Sequence, residues 1–470
     1  MFSEPTLPGI CLKSTRKCGT SSIGFASTRV KSVDETLTQI MPVCKRVGVT
    51  RISDITFMDR LYIPNYSVVL PGTEDSIWVY SGKGTTRSFA RASALMEAIE
   101  RYSSLPSTYP RTFIKGSYLQ LSNSYDQVLH PDEVVEPIRL EFNDKDSILD
   151  FLPGFDLLTN EKFLVPAEIA LYKYSPRHPA MCAILHSHTN GLASGNALEE
   201  AICHALCEVI ERDAVSIADL SASSVPYNIL EKIIDSLKEY SGCPVAGTFV
   251  GDKFVDDTSI FPDVDISEIA DEFEPIKHLV KRFADAGISL LVKDITQRDI
   301  GIPTLVASST EWITHDYGYF AKGYGTHPDV RVALIRAITE VSQTRAVNIQ
   351  GARDDLKKIQ YKQNDEINKR KWQFVPSSLS LTSHSINKKN IIKFCEIKTH
   401  ENKDILDDIN LILYSLKKAG LKRAIIVDLT NPNIGIPVVR AIVPGLETFE
   451  VTTSVMGKRA KEHFRRLYCS

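Results

Sequence analysis

The chain has 470 residues, of which 43% are hydrophobic and 24% charged, and its formal net charge is -3. This is the composition of a folded globular protein, and it excludes a basic nucleic-acid footprint or a polybasic membrane-surface patch. No run approaches the ~18 apolar residues of a spanning helix, and the N-terminus lacks a basic region followed by an apolar stretch, so a cytoplasmic location is expected. The nine cysteines include no C-x-x-C pair, which argues against a disulfide framework and a zinc ribbon. Cys203 and Cys207 share a helix face by spacing and are read as packing thiols.

The first patterned segment, VGVTRISDITFMDRLYIP (47–64), follows an amphipathic helical stretch and runs Gly, apolar strand, Asp-x-Thr, short loop, Ile-Pro. The glycine suits a helix C-terminus that needs positive φ, the β-branched run a buried strand, and Asp-x-Thr a turn bonded to its own backbone. The same unit recurs as AGISLLVKDITQRDIGIP (286–303) and AGLKRAIIVDLTNPNIGIP (419–437). Helix, strand, turn, strand is therefore written three times.

A second element also comes in threes. SALMEAIER (93–101), HALCEVIER (204–212) and ALIRAITE (333–340) share an Ala-Leu-x-x-x-Ile core. Each lies eight or ten residues after a glycine-containing turn, at Gly84, Gly195 and Gly325. On the first helix Ser93, Glu97, Glu100 and Arg101 fall opposite Leu95, Ala98, Ile99 and Tyr102. On the second, Glu200, His204, Glu208, Glu211 and Arg212 fall opposite Ile202, Leu206, Val209 and Ile210. The third presents Arg336, Glu340, Gln343 and Thr339. Aligned on Ala-Leu, Arg336 takes the place of Glu97 and Glu208, and Glu340 that of Arg101 and Arg212, so this copy reads as charge-reversed.

One such helix is an ordinary amphipathic surface helix, but three in one register point to a shared polar cavity. Four or more carboxylates facing one another repel unless cations sit between them. Mg²⁺ suits hard oxygen ligands shared with water and phosphate. Arg101, Arg212 and Arg336 then pair with phosphate oxygens or hold the carboxylates, and Lys83 and the backbone amides near Asn196 are further phosphate candidates. A Walker loop is absent, and the Glu-x-x-His pairs of a di-iron site are absent as well. His186 and His188 in HSHTNG have strand spacing and face one side as a candidate ligand pair. The stretch 354–400, rich in Lys, Asn, Ser and Gln, reads as a peripheral insertion with a solvated basic surface.

Four blocks, GKGTTRSFARASALMEAIERYS, TNGLASGNALEEAICHALCEVIERDA, KGYGTHPDVRVALIRAITEVSQTRA and DLTNPNIGIPVVRAIVPGLE, resemble in order the signature blocks of the YcaO family. The likeness runs from about Thr28-Arg29 to the C-terminus, with 354–400 the poorest match. It implies a mixed α/β (α+β) fold of the YcaO type. It also implies one composite domain over 1–470, with its core at about 28–353 and 401–470.

The resemblance further implies an enzyme that uses ATP and more than one Mg²⁺ to activate a peptide backbone amide by O-phosphorylation. Its metal residues would be Glu97, Glu100, Glu208 and Glu211. Its nucleotide residues would be Ser93, Asn196, Glu200, Arg336 and Glu340, joined by Lys83 and Arg101 from the reading of the helix faces, with Glu97, Glu211, Arg212 and Arg336 central to catalysis. Azoline-forming members often end in PxPxP, whereas this chain ends GKRAKEHFRRLYCS and has no room for a fused substrate-clamping domain. Both features resemble the thioamide-forming branch, which uses sulfide and a TfuA partner and includes the methanogenesis marker protein 1 group that installs thioglycine in methyl-coenzyme M reductase. A homodimer is implied by the family. The alternatives are azoline formation on Cys, Ser or Thr of a precursor peptide, and a non-catalytic nucleotide-binding accessory of sulfur transfer.

Overall fold

A computed structural model describes residues 9–18, 28–72, 77–125, 127–135, 142–175, 188–221, 261–310, 321–350, 391–448 and 456–468. Helix α1 (Val33–Val47) leads into strands β1 (Arg51–Asp54), β2 (Asn65–Pro71) and β3 (Ile77–Lys83) and helix α2 (Arg87–Ser104). Next come β4 (Ile114–Gly116), β5 (Leu149–Asp156), β6 (Glu161–Pro166), β7 (Leu192–Ser194) and α3 (Leu198–Ser221). They are followed by β8 (Asp263–Asp265), α4 (Glu274–Asp285), β9 (Ser289–Asp294), β10 (Thr304–Thr310), β11 (Ala321–Thr326) and α5 (Val330–Ile349). The C-terminal part holds β12 (Ile391–Lys393), α6 (Ile405–Lys418), β13 (Ile425–Asp428), β14 (Val438–Ile442) and α7 (Lys458–Tyr468). Among the described residues no helix is long and apolar enough to cross a membrane.

Three sheets result, ordered β1-β2-β3, β11-β10-β9-β8-β12 and β4-β5-β13-β14-β7, with β6 on β5. Each contains one hairpin from the sequence repeat. Gly48, Gly287 and Gly420 end the preceding helices with φ of 93°, 64° and 85°. In each turn the aspartate accepts the threonine N–H, at 3.0 Å (Asp54–Thr56), 2.9 Å (Asp294–Thr296) and 2.9 Å (Asp428–Thr430). The threonine hydroxyl then accepts an N–H across the hairpin, from Asn65, Thr304 and Val438 at 3.2, 3.0 and 3.2 Å. Asp-x-Thr thus closes the hairpin from both sides, which is why both residue types are fixed. Just before the Ile-Pro, Gly301 and Gly435 adopt φ of 70° and 71°, and in the first copy Tyr62 does so at 51°.

The loops between paired strands also close the molecule on itself. Leu61 and Ile63 of the first loop are buried in the core formed by α4, α5 and their sheet. Ile300 and Ile302 of the second lie in the core of α3, α6 and β14, and Ile434 and Ile436 of the third lie in that of α1, α2 and β2. Each unit therefore fills a gap in the next, and the third returns to the first. This ring of non-directional apolar contacts holds α2, α3 and α5 around one centre.

Residues 354–390 lie outside the described residues. The end of the stretch read as a peripheral insertion belongs to the core: β12 pairs in parallel with β8, and Phe394 and Ile397 are buried beside α4. The short apolar run IIKF supplies that strand, and its single turn of pairing leaves almost no periodic signal in sequence.

Candidate functional site

A third strand in each unit delivers the helix that faces the centre. β3 pairs with β2, β11 with β10, and β7 with β14, although β7 and α3 precede β14 in the chain. Glycines let these strands lie directly on their helices. A Cβ on Gly82 would sit 2.1 Å from Ala94 N, and one on Gly325 2.0 Å from Ala333 O. Gly84, Gly195 and Gly325 were expected in turns, yet Gly325 is within β11, and what all three need is space, not positive φ.

Strand pairing fixes the helix register. Gly82 lies opposite Tyr66, Ala193 opposite Val439 and Gly325 opposite Leu305, each partner two residues past the Ile-Pro proline. The N–H groups of Gly84, Gly195 and His327 then donate to the carbonyls of Pro64, Pro437 and Pro303 at 3.3, 3.1 and 3.2 Å. Fifteen residues beyond Gly82, Ala193 and Gly325 stand Glu97, Glu208 and Glu340. The charge-reversed alignment of the third helix is therefore wrong by one turn. Glu340 matches Glu97 and Glu208, and Arg336 matches Ser93 and His204. A slip of four residues rotates a helix by only about 40°, so its apolar face survives the error.

On α2, Glu100 is buried while Glu97 keeps about a third of its side-chain surface (32%). Arg101 holds both, with 3.4 Å to Glu97 and 3.5 Å to Glu100, while its guanidinium lies over the Tyr172 ring at 5.8 Å. Burial pushes the Glu100 carboxyl up to about 8, against the pull of Arg101 and with help from Glu208 and Glu97. Glu97 is raised by loss of hydration inside the concave site, again opposed by Arg101.

On α3, Glu211 is buried and pushed up to about 7, by burial first and then by Glu340, against Arg336 and Arg212. On α5, burial would raise Glu340, but Lys83 from β3 pairs with it, and together with Arg212 and Arg336 holds it below the usual carboxylate range. His204 is kept neutral, far below the usual imidazole range, by burial and then by Arg336, Arg29 and Lys83. The helix faces thus form one electrostatic unit.

Asn196 and Glu200 form a second group. The Asn196 amide donates to both Glu200 oxygens at 3.2 and 3.3 Å. Two residues not singled out from sequence complete it: Arg29 donates to Glu200 at 3.0 Å, and the Thr36 hydroxyl donates to Asn196 Oδ1 at 3.0 Å. Arg29 precedes any patterned segment, and Thr36 lies on α1, whose periodic pattern marks apolar positions and not this hydroxyl. Ser93 is half-buried on the expected face. Thr339 is not on it, since its hydroxyl turns back to the Ile335 carbonyl at 2.7 Å.

The side chains of Gln343 and Arg345 are committed elsewhere. Gln343 donates to the Ser81 carbonyl, and Arg345 makes a buried fork to Asp59 at 2.8 and 2.9 Å. Cys203 and Cys207 are buried in the α3–α6 core, as packing thiols should be. The ligand atoms of Cys203, His327 and Asp408 lie within 4.8 Å of one another, but the Lys17 ammonium already neutralises Asp408 at 2.6 Å. His186 lies outside the described residues. His188 meets Arg440, which donates to its carbonyl at 3.1 Å.

The donor set fits Mg²⁺. Glu211 Oε2 is buried without a hydrogen-bond partner among the described residues, and burial raises the Glu100 and Glu211 carboxyls despite the nearby Arg101, Arg212 and Arg336. Glu97, Glu100, Glu208 and Glu211 are hard oxygen donors on two adjacent helices. Arg336 Nε, also buried without such a partner, lies on the side where Lys83 and Arg212 collect positive charge.

The profile of a family described as YcaO cyclodehydratase, ATP- and Mg²⁺-binding, matches residues 81–246 and 255–447. An uncharacterized protein of Methanothermobacter thermautotrophicus is 32% identical over 434 residues, covering 91% of this chain and 97% of that one. A Rhizobium leguminosarum bv. trifolii protein named for its place in the tfuA 3′ region is 26% identical, covering 91% of each chain. The fold is similar to that of YcaO from Methanopyrus kandleri, solved with AMPPCP and Mg²⁺, with TM-score 0.64, 22% identity, and coverage of 93% of this chain and 97% of that one. It is also similar to a heterocyclase solved with substrate and cofactor, with TM-score 0.69, 21% identity and 98% of this chain covered. The chain spans 57% of that heterocyclase's length. With the family profile matched over both halves of the chain and helix faces that suit the ATP and Mg²⁺ of its description, the protein belongs to the YcaO family.

Proposed function

We propose that this protein is a peptide thioamide synthase that activates a backbone amide with ATP and takes sulfide as its sulfur source. The observation that carries the proposal is the pair of Glu-x-x-Glu-Arg faces on α2 and α3, with an orphaned Glu211 oxygen between cations and carboxylates. Hydrosulfide adds to the amide carbonyl carbon, the resulting oxyanion takes the γ-phosphoryl group of ATP, and ADP departs. Phosphate then leaves with that oxygen, the sulfur gives up its proton, and C=S remains.

Such chemistry needs no protein nucleophile; it needs positioning and neutralisation of charge growing on phosphoryl oxygens. Glu97, Glu100, Glu208 and Glu211 would hold Mg²⁺, which when bound screens the phosphates from one another. Arg212, Arg336 and Lys83 offer donors to the phosphoryl oxygens, while Glu340 keeps Lys83 in place. Ser93, Asn196 and Glu200, with Arg29 and Thr36, line the nucleoside side.

The tfuA-region relative supports a TfuA-like partner and the thioamide branch, with glycine of methyl-coenzyme M reductase as the reading for the target. Azoline formation is the second reading, supported by the cyclodehydratase description of the family. The test is incubation of the protein with ATP, Mg²⁺, sulfide and a library of glycine-, cysteine- and serine-containing peptides, followed by mass spectrometry. Exchange of oxygen for sulfur supports thioamidation. Loss of one water without sulfide supports azoline formation and overturns it.

A further inference from the structure

The helix that carries Glu211 and Arg212 is gripped from behind by the C-terminal helix. Asp213 follows Glu211 by two positions, which on a helix turns its side chain about 200° away from that of Glu211. Asp213 is wholly buried, and its carboxylate accepts three hydrogen bonds. Oδ1 accepts Arg459 Nε at 2.9 Å and the Glu447 backbone N–H at 2.8 Å, and Oδ2 accepts Arg459 Nη2 at 2.9 Å. Arg459, in the first turn of α7, thus meets Asp213 as a two-pronged fork.

The same guanidinium reaches a second aspartate. Nη1 donates to Asp299 Oδ2 at 2.5 Å, and Nη2 to Asp299 Oδ1 at 3.3 Å. Asp299 belongs to the second Ile-Pro loop, beside Ile300, which is buried in the core that includes α3. The base of Arg459 is fixed in turn. Glu447 accepts the N–H groups of Gly457 and Ala460 at 2.8 and 2.9 Å, Ala460 is wholly buried, and the His463 ring stacks on Phe261 with centroids 6.1 Å apart and planes at 7°. One anchored arginine therefore ties α7, α3 and the second loop together.

Apolar contacts hold α3 against its neighbours but are non-directional and leave its rotation about its own axis weakly set. Apolar side chains in place of a buried ion pair often stabilise a fold as well or better, so what this pair adds is direction. A glutamate carboxylate stands about 6 Å from its helix axis, so a turn of about 10° moves it by roughly 1 Å. Mg²⁺ requires near-octahedral ligands at about 2.1 Å, and a misplacement of about 1 Å at a reacting centre costs on the order of 100-fold in rate. We propose that Arg459 is a positioning residue: through Asp213 and Asp299 it sets the rotation of α3, and so the places of Glu211 and Arg212. The proposal deepens the reading of those two residues as metal and phosphate residues and rests on it for its effect on ligands.

The test compares the full-length wild type with Arg459→Lys and with the double variant Asp213→Leu, Arg459→Met. Lysine keeps the charge and loses the fork, whereas the double variant replaces the buried pair with apolar side chains and strands no charge. Melting temperature, Mg²⁺-dependent binding of AMPPCP, and amide hydrogen exchange along α2 and α3 are measured on each. Both variants should melt within a few degrees of the wild type, bind AMPPCP with Mg²⁺ at least tenfold more weakly, and exchange the amides of residues 208–213 about tenfold faster, with α2 unchanged. Wild-type AMPPCP binding by either folded variant overturns the proposal, because charge or packing alone then suffices. Where the double variant does not fold, Arg459→Lys decides. If the wild type itself binds no AMPPCP, the nucleotide reading falls and exchange decides the hold of Arg459 on α3: faster exchange confined to α3 sustains it, and unchanged exchange overturns it.

Discussion

Raising the pH from 7 to 9 should tighten Mg²⁺ binding about 20-fold. A carboxyl whose pKa is raised holds its proton in the metal-free protein, and a cation must displace that proton. With Glu100 at about 8 and Glu211 at about 7, competition at pH 7 weakens binding by factors of about 11 and 2. At pH 9 both factors are close to one, so the gain is about 20-fold, or ~1.8 kcal/mol. The same numbers require about 1.4 protons to be released per site filled at pH 7 and about 0.1 at pH 9. Isothermal titration of Mg²⁺ into the nucleotide-free protein, in two buffers of different ionisation heat, measures both. Less than a twofold change with no proton release would refute the argument that these carboxylates are the ligands. The sign reverses for the metal-free fold: between the ordinary carboxyl value of 4.5 and the raised values, the folded state binds the extra protons, so these two groups make stability fall as pH rises. Saturating Mg²⁺ should oppose that loss.

Glu97→Gln and Glu211→Gln should each abolish ATP turnover in a phosphate-release assay while leaving the melting temperature unchanged or raised, because each removes a repelling charge from a buried cluster. Normal turnover in both would sink the metal assignment. Gly325→Ala should cost more than about 3 kcal/mol or prevent folding, since backbone atoms of Ala333 cannot yield, whereas Gly301→Ala, which meets nothing within 4 Å but keeps φ at 70°, should cost only about 1 kcal/mol by denaturant titration. Tyr62→Gly should stabilise by up to about 1 kcal/mol through release of its left-handed backbone, and Tyr62→Val should destabilise by at least as much.

Features decided by neighbouring residues were legible in the sequence. The three glycine C-caps and the three Asp-x-Thr turns depend on contacts a few residues apart, so Gly48, Asp54 and Thr56 state their geometry locally. The register of α5 depends on Gly325 facing Leu305 across the sheet, and the helix pattern is blind to it. ALIRAITE matches the Ala-Leu-x-x-x-Ile of α2 better than AITEVSQT does, yet the strand makes Ala337 and Glu340, not Ala333 and Arg336, the counterparts of Ala94 and Glu97. Nor does linear order reveal that β7 and α3 complete the unit begun by α6, or that Arg29 and Thr36 reach Glu200 and Asn196 from far along the chain.

Once the register is corrected, the asymmetry of the site has a physical form. All three helices keep a glutamate at the same position, Glu97, Glu208 and Glu340. On α2 and α3 a second glutamate and an arginine follow, at Glu100, Arg101, Glu211 and Arg212. On α5 the corresponding residues are Gln343 and Thr344, with Gln343 bonded to Ser81 and Glu340 already neutralised by Lys83. Cation demand is therefore concentrated between α2 and α3, where burial, with carboxylate repulsion added, raises the Glu100 and Glu211 pKa values. The α5 side, bearing Arg336 opposite His204, is left positive. On the proposed reading this divides one ring of three related helices into a metal side and a phosphate side. The same division predicts that restoring symmetry with Gln343→Glu would add an uncompensated carboxylate beside Glu340 and weaken binding of the ATP analogue, an effect that titration of the variant measures directly.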